Sequence, residues 1–207
     1  MTLNEIAESY GTDKRISGHG YVNQYQTYLD NWRDFKFNLL EIGVYDGASL
    51  KTWKKYFPKA DITGIDIDIR CKEYEEDRVN VVIGDQTDVN FLTDITNNKE
   101  YSIMIDDGGH TWKQQIVSFE TLFPKLSPGG IYFVEDVHTS YVQKWKDYNI
   151  SGVDYFKSLV DKVNLYGKSF IGYTEIHNQQ LDYFERNIEY VHFYKSIIII
   201  GKKQESL

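Results

Sequence analysis

Short apolar runs alternate with amphipathic stretches through the middle of this chain. A run of four to eight apolar residues between turn residues is typical of a buried strand, whereas apolar positions that repeat every three or four residues predict a helix. These patterns predict five strands, at residues 38–42, 61–65, 79–83, 101–105 and 131–134. They also predict helices from residue 50 onward, at 89–95 and at 111–122, and a turn at 127–130. Such an alternation indicates an α/β fold with a mostly parallel sheet.

The two ends of the chain lie outside this alternation. Helical spacing predicts a helix over 3–10 and a second one, rich in tyrosine, that ends near Trp32. After residue 141 we predict a loop at 145–152, a helix at 154–165, and two closing strands at 169–176 and 191–200 joined by a long hairpin loop. We expect a single domain over 1–207, divided into an N-terminal helical cap (1–37), a core (38–140) and a closing segment (141–207). The cap would either cover the pocket as a lid or pack on the sheet edge.

The turn after the first strand indicates the class of ligand. Gly43 and Gly47 bracket it, and glycine lets a backbone approach a ligand while the N–H groups of the following helix point into the same space. The middle glycine of the dinucleotide fingerprint is missing. Glu41 ends the strand and Asp46 lies in the turn, and two carboxylates suit a cationic amino-acid end better than a pyrophosphate. The alternative is an ordinary turn with scattered acids.

Each of the five predicted strands ends at an acidic residue. Ligands of open α/β sheets bind beyond the carboxyl ends of the strands, so these residues define the expected site. They are Glu41, Asp66, Asp85 with Gln86, Asp106 with Asp107, and Glu135 with Asp136. An acid placed like Asp66, about 20 residues after the glycine turn, typically binds ribose hydroxyls.

The last two strand ends suggest a metal site. Asp107, Glu135 and Asp136 would converge on one hard cation with oxygen ligands, for which Mg²⁺ is the default. His110 follows at the start of a helix, where a neutral imidazole beside a metal-bound hydroxyl could act as general base. The alternatives are a structural histidine near a helix N-terminus and solvated loop acids.

The amino-acid composition excludes several classes of protein. The net charge of −8 over 207 residues argues against a broad nucleic-acid or anionic-membrane surface. Cys71 is the single cysteine, so an internal disulfide framework is excluded. Neither a membrane-spanning apolar run nor a signal-peptide core is found, so we expect a cytoplasmic protein without membrane insertion. The 17 tyrosines would suit sugar or aromatic ligands, or simply the core.

Eight segments of the chain resemble one enzyme family. Four carry strand-end acids: Leu40-Glu41-Ile42-Gly43, Gly64-Ile65-Asp66, Gly84-Asp85-Gln86 and Ile105-Asp106-Asp107-Gly108-Gly109-His110. A fifth is Pro128-Gly129-Gly130 through Val134-Glu135-Asp136. The others are Tyr10-Gly11-Thr12-Asp13-Lys14 and His19-Gly20-Tyr21 before the first strand, and Val191-His192-Phe193-Tyr194-Lys195-Ser196-Ile197 near the end of the chain. Together they resemble the metal-dependent sugar O-methyltransferases of the macrocin and mycinamicin type, which are class I methyltransferases that use S-adenosylmethionine (SAM). The resemblance implies a Rossmann-like class I fold, with a seven-stranded sheet that ends in an antiparallel hairpin.

The resemblance also implies a role for each site residue. SAM would be bound by Glu41, Gly43, Gly47, Ser49, Asp66, Asp85, Gln86, Asp106 and Tyr21. Mg²⁺ or a similar divalent cation would be held by Asp107, Glu135 and Asp136. His110 would be the general base, with Asp107 as its catalytic partner. The acceptor would be contacted by His138, Lys14 and Tyr141.

The acceptor is the least determined part of this interpretation. Gly109 stands where a serine is common in the family, His138 follows the metal pair, and the extra N-terminal domain of the macrolide enzymes is not expected here. A smaller acceptor would fit, such as a nucleotide-linked sugar or a saccharide unit of a surface polysaccharide or natural product. The alternatives are a catechol-like acceptor, an NAD-type nucleotide-binding protein and a non-catalytic subunit. A homo-oligomer is left open.

Overall fold

The computed structural model describes residues 1–164 and 181–204. Within these residues, seven strands form one mixed sheet. They are β1 (Asn38–Ile42), β2 (Asp61–Asp66), β3 (Val79–Ile83), β4 (Tyr101–Asp106), β5 (Leu126–Val134), β6 (Ile188–Phe193) and β7 (Ile198–Lys202). Their order is β3-β2-β1-β4-β5-β7-β6. The chain divides into two compact units, the first unit Met1–Tyr101 and the second unit Ser102–Leu207, which are described in turn.

The first unit packs four helices with its parallel strands. The helices are α1 (Leu3–Tyr10), α2 (Val22–Leu29), α3 (Ala48–Tyr56) and α4 (Val89–Thr96). β1 pairs in parallel with β2, and β2 with β3. Burial explains the apolar runs of the sequence, because four of the five residues of β1 are buried and Trp53 of α3 is fully enclosed.

Local chemistry sets the ends of the helices in the first unit. Thr2 and Glu5 form a capping box at the start of α1, and Gly11 ends that helix with φ 77°. Gly47 precedes α3 with φ 72°, and a Cβ there would lie 2.6 Å from the Tyr74 ring. Gly47 is therefore required both by its left-handed backbone and by this close approach.

The second unit contains the antiparallel end of the sheet. Its helices are α5 (Trp112–Leu122), α6 (Gly152–Val163) and α7 (Tyr183–Asn187). β7 pairs antiparallel with both β5 and β6, so the antiparallel end of the sheet predicted from the sequence is confirmed, although other residues than the predicted ones form its hairpin. Thr111 caps α5 through a capping box with Gln114, and Ser151 caps α6.

Two predictions near the end of the sheet are wrong. The turn predicted at 127–130 lies inside β5, where the Gly129 amide donates to the Lys203 carbonyl at 3.1 Å and extends the pairing. The single strand predicted at 191–200 is instead the hairpin β6–β7. Its turn is closed by the Tyr194 amide, which donates to the Ile197 carbonyl at 2.9 Å.

The rest of the closing segment differs in detail. The predicted loop before the last strand contains α7, which starts at an Asp182–Glu185 capping box. The helix predicted at 154–165 is α6, shifted by two residues because Ser151 supplies its cap. The strand predicted at 169–176 lies outside the described residues. None of the described helices combines the length and apolar character needed to cross a membrane.

Candidate active site

The glycine turn of the first unit is held by a carboxylate. Asp66, the last residue of β2, accepts hydrogen bonds from the amides of Val44 and Tyr45 with Oδ2, at 2.9 and 3.1 Å, and from the Asp68 amide with Oδ1 at 2.9 Å. Burial would raise the pKa of Asp66, but these amides outweigh it, so the pKa lies below its ordinary value. Asp66 therefore fixes the loop predicted to surround the cofactor.

The stability of the protein at acidic pH should depend on Asp66. A carboxyl whose pKa is depressed in the folded state adds stability above its unfolded pKa of about 3.9, and loses it as the pH falls through the folded value. The urea midpoint of the wild type should therefore fall more steeply below about pH 5 than that of Asp66→Asn, which should be less stable at pH 7. Asp34→Asn, at an exposed site, is the control. Parallel pH curves for wild type and Asp66→Asn would contradict this assignment.

Glu41 belongs to a buried polar cluster of three side chains. Lys14 Nζ lies 3.6 Å from Glu41 Oε1, and both side chains are enclosed, with 1% and 0% exposed. The Ser49 hydroxyl, in the first turn of α3, donates to Glu41 Oε2 at 2.8 Å. The cluster ties the segment before α2 to β1 and α3, on both sides of the glycine turn. Lys14 is thus placed beside the predicted SAM residues, although the sequence suggested an acceptor contact.

Removing the Lys14 charge should destabilise the first unit. Lys14→Met leaves the buried Glu41 carboxylate without its nearest cation, and breaking a buried pair in this way costs about 3–5 kcal/mol. Urea unfolding should show this loss. The double variant Lys14→Met/Glu41→Gln should recover much of it, because the uncompensated charge is gone. Lys72→Met, at an exposed lysine, is the matched control. Equal stability of wild type and Lys14→Met would contradict the account.

The remaining predicted SAM residues of the first unit occupy different environments. Asp85 is exposed, and its Oδ1 accepts from the Thr87 amide at 2.7 Å. Gln86 is buried with 6% exposed. Tyr21 is also buried, and it stacks on His19 with ring centres 5.2 Å apart. Their roles toward SAM stay predictions.

The second unit brings three of the predicted chemical residues together. Asp107, His110 and Asp136 each offer a ligand atom, and these atoms lie within 4.8 Å of one another. His110 Nε2 is 3.5 Å from Asp136 Oδ2 and 3.9 Å from Asp107 Oδ1. All three side chains are partly buried, with 14–19% exposed. Two carboxylates and an imidazole at this spacing fit a divalent cation.

Unusual backbone conformations aim two of these side chains. His110 and Asp136 have φ values of 57° and 53°, in the left-handed region that non-glycine residues seldom occupy. The Thr139 hydroxyl donates to the His110 carbonyl at 2.8 Å and helps to hold that conformation. Such strain persists only where surrounding contacts enforce it, and it is concentrated at functional sites.

Glu135 and Asp106 are placed differently from these three. Both side chains are buried, with 1% exposed, and Glu135 lies outside the three-residue group. The Gln115 side chain donates to the Glu135 carbonyl at 3.0 Å, and the Glu135 amide donates to the Asp106 carbonyl at 2.9 Å. Burial, and then the nearby Asp106 carboxylate, raises the pKa of Tyr132. The predicted roles of Glu135 with the metal and Asp106 with SAM stay predictions.

Comparison with known proteins gives this geometry a context. No family model matches the chain. It is 32% identical to 8-demethyl-8-alpha-L-rhamnosyl tetracenomycin-C 2'-O-methyltransferase of Streptomyces olivaceus, over 99% of this chain and 55% of that protein. It is 30% identical to demethylmacrocin O-methyltransferase of Streptomyces fradiae, over 97% of this chain and 53% of that protein.

A solved structure agrees with these relatives. The MycE methyltransferase from the mycinamycin biosynthetic pathway, in complex with Mg and SAH (S-adenosylhomocysteine), matches 100% of this chain and 54% of that chain, with TM-score 0.89 and 29% identity. The chain is homologous to these sugar O-methyltransferases. The resemblance and the class I methyltransferase fold predicted from the sequence are thereby confirmed. The chain spans about half the length of the curated relatives it matches.

The structure places the predicted acceptor residue His138 near the three-residue group, together with Trp145 and Ser196, which were not among the predicted site residues. His138, 57% exposed, has its Nδ1 3.8 Å from Asp136 Oδ1 and 2.6 Å from the Ser196 hydroxyl in the β6–β7 turn. The Trp145 ring lies 6.1 Å from the His110 ring, edge to face. Tyr141 is 75% exposed. Ser196 lies in the closing segment that resembles the family but was given no role there, and its left-handed φ of 62° marks it in the structure.

Proposed function

We propose that this protein is a SAM- and Mg²⁺-dependent O-methyltransferase that methylates a sugar hydroxyl. The observation that carries the proposal is the grouping of Asp107, His110 and Asp136 within 4.8 Å, in a chain homologous to sugar O-methyltransferases. The similar MycE structure contains Mg and SAH. The relative from Streptomyces olivaceus is named as the 2'-O-methyltransferase of a rhamnosyl tetracenomycin. By analogy we propose a saccharide-linked small-molecule acceptor.

The donor residues would act in the first unit. When bound, SAM would supply the methyl group as a sulfonium. The Gly43–Gly47 turn, fixed by Asp66, would present backbone amides to it, and the Lys14–Glu41–Ser49 cluster would hold that turn in place. In this proposal Glu41 and Lys14 are positioning residues, because their side chains are enclosed. Asp66 would also accept from the ribose hydroxyls.

The acceptor residues would act in the second unit. Asp107 and Asp136, with Glu135, would hold the cation, which when bound would lower the pKa of an acceptor hydroxyl. His110 would take the proton from that hydroxyl through Nε2 as the oxygen attacks the methyl carbon. The methyl–sulfur bond then breaks, and S-adenosylhomocysteine is left. His138, whose Nδ1 lies 3.8 Å from Asp136 Oδ1, would contact the acceptor, and so would the exposed Tyr141.

A turnover assay tests the proposal. The protein would be incubated with labelled SAM, Mg²⁺ and a panel of free, phosphorylated and nucleotide-linked sugars, with catechol as the competing acceptor. We expect label in a sugar product that appears with Mg²⁺ and disappears in excess chelator. Full activity in chelator would contradict the metal role, and exclusive methylation of catechol would contradict the sugar acceptor. The cytoplasmic location and the single-domain organisation stay predictions.

A further inference from the structure

Beside the three-residue group, two lysines lie over two tryptophans. We define the lysine–tryptophan rim as Trp112, Lys144, Trp145 and Lys146. Lys144 Nζ is 4.9 Å from the centre of the Trp145 ring, and Lys146 Nζ is 5.5 Å from that of Trp112. Both lysines are exposed. In the described part of the chain, neither ammonium lies within ion-pair distance of a carboxylate.

The rim is connected to His110 on two sides. The Trp145 ring contacts the His110 ring, so one indole links the imidazole to the Lys144 ammonium. Trp112 Nε1 donates to the Thr139 carbonyl at 3.3 Å, and the Thr139 hydroxyl donates to the His110 carbonyl. The rim therefore lies next to the position that an acceptor hydroxyl would occupy at His110.

The charge of the rim contrasts with its surroundings. The protein has a net charge of −8, and its proposed metal ligands are acidic. The neighbouring acid, Asp147, is engaged by the Lys113 amide at 2.9 Å. Two ammonium groups that have no acidic partner among residues 1–164 and 181–204 would attract an anion beside such a site, and the aromatic rings next to them offer a flat surface for a sugar ring.

We propose that the lysine–tryptophan rim binds the phosphate of a phosphate-linked acceptor sugar. Lys144 and Lys146 would contact the phosphate oxygens, and Trp145 would pack against the sugar whose hydroxyl faces His110. This inference rests on the proposed function and names its substrate class. Glycosyl phosphates and nucleotide-linked sugars share the chemistry, and the test distinguishes them.

Calorimetric titration of the full chain with Mg²⁺ and S-adenosylhomocysteine present tests the inference. The probes are glucose 1-phosphate, UDP-glucose, glucuronate and glucose. We expect both phosphate-bearing probes to bind at least tenfold more tightly than glucose, and Lys144→Ala/Lys146→Ala to remove that advantage. Tighter binding of UDP-glucose than of glucose 1-phosphate would identify a nucleotide-linked sugar as the acceptor. Equal binding of the two probes would identify a glycosyl phosphate as the acceptor.

Matched variants separate a charge effect from a structural one. Lys144→Arg/Lys146→Arg should retain phosphate binding, because the cations remain, and Lys157→Ala removes an exposed lysine on α6 as the control. Equal binding of glucose and glucose 1-phosphate, preference for glucuronate over the phosphates, or retained binding in the double alanine variant would overturn the inference. Failure of the wild type to bind S-adenosylhomocysteine at all would instead contradict the proposed function.

Discussion

Replacing Asp107 by asparagine should lower turnover by about a thousandfold or more, while binding of S-adenosylhomocysteine is unchanged. The carboxylate is one of two in the three-residue group, and asparagine keeps its shape but removes the charge that attracts a cation. Charge stabilisation by a metal is worth several kcal/mol, and each 1.36 kcal/mol corresponds to about a factor of ten in rate. The measurement is initial rate with labelled SAM, together with titration of Mn²⁺ followed by electron paramagnetic resonance.

The control for this prediction is Asp161→Asn, the same change at an exposed position of α6. It should leave both turnover and Mn²⁺ binding unchanged. An Asp107→Asn protein that binds Mn²⁺ as tightly as the wild type would show that the three-residue group is not a metal site. A variant that loses S-adenosylhomocysteine binding as well would indicate general misfolding rather than a local loss.

Replacing His110 by glycine should lower turnover by about a hundredfold to ten-thousandfold, the usual contribution of a general base. Glycine is chosen because it adopts the φ of 57° at this position without strain and offers neither a base nor a ligand. Added imidazole should restore part of the activity, since it can take the proton in place of the missing side chain. Initial rates with and without imidazole are the measurement.

Metal affinity then decides between the two roles that the geometry allows for His110. Its Nε2 lies 3.5 Å from Asp136 Oδ2, which suits a ligand of the cation as well as a base beside it. If His110 acts as a base and not as a ligand, Mn²⁺ should bind His110→Gly as tightly as it binds the wild type. A tenfold or greater loss of Mn²⁺ affinity, without rescue by imidazole, would make His110 a ligand instead. His192→Gly, at an exposed position of β6, is the matched control.

The core strands were predictable because burial dominates them. The predicted bounds of β1 and β3 agree with the structure at both ends. Four of the five residues of β1 are buried, whereas in β3 Val79 and Val81 are buried and the other three are at least partly exposed. The failures come from longer-range pairing. Ser127 to Gly130 has the composition of a turn, yet the Gly129 amide pairs with Lys203, far away in sequence. The run at 191–200 has no glycine or proline, so its reversal at Ser196 left no signal.

The residues of the candidate site also divide into those that the local sequence predicts and those that depend on longer-range contacts. Asp107, His110 and Asp136 were predictable because adjacent strand ends meet at one edge of a sheet. The burial of Lys14 against Glu41 could not be predicted, because 26 residues lie between them in the sequence. Hydrophobic periodicity does not indicate a contact between residues so far apart. The same holds for Ser196 beside His138 and for Trp145 beside His110, which depend on side-chain packing in three dimensions.

Calorimetric titration of S-adenosylhomocysteine into the metal-loaded protein, with NAD as the control, tests the central claim most directly. The glycine turn held by Asp66 lacks the dinucleotide fingerprint and lies in a chain homologous to methyltransferases. We therefore expect S-adenosylhomocysteine to bind with 1:1 stoichiometry and NAD to give no heat of binding. Binding of NAD, or of neither compound, would contradict the account, because the proposed reaction would then have no methyl donor.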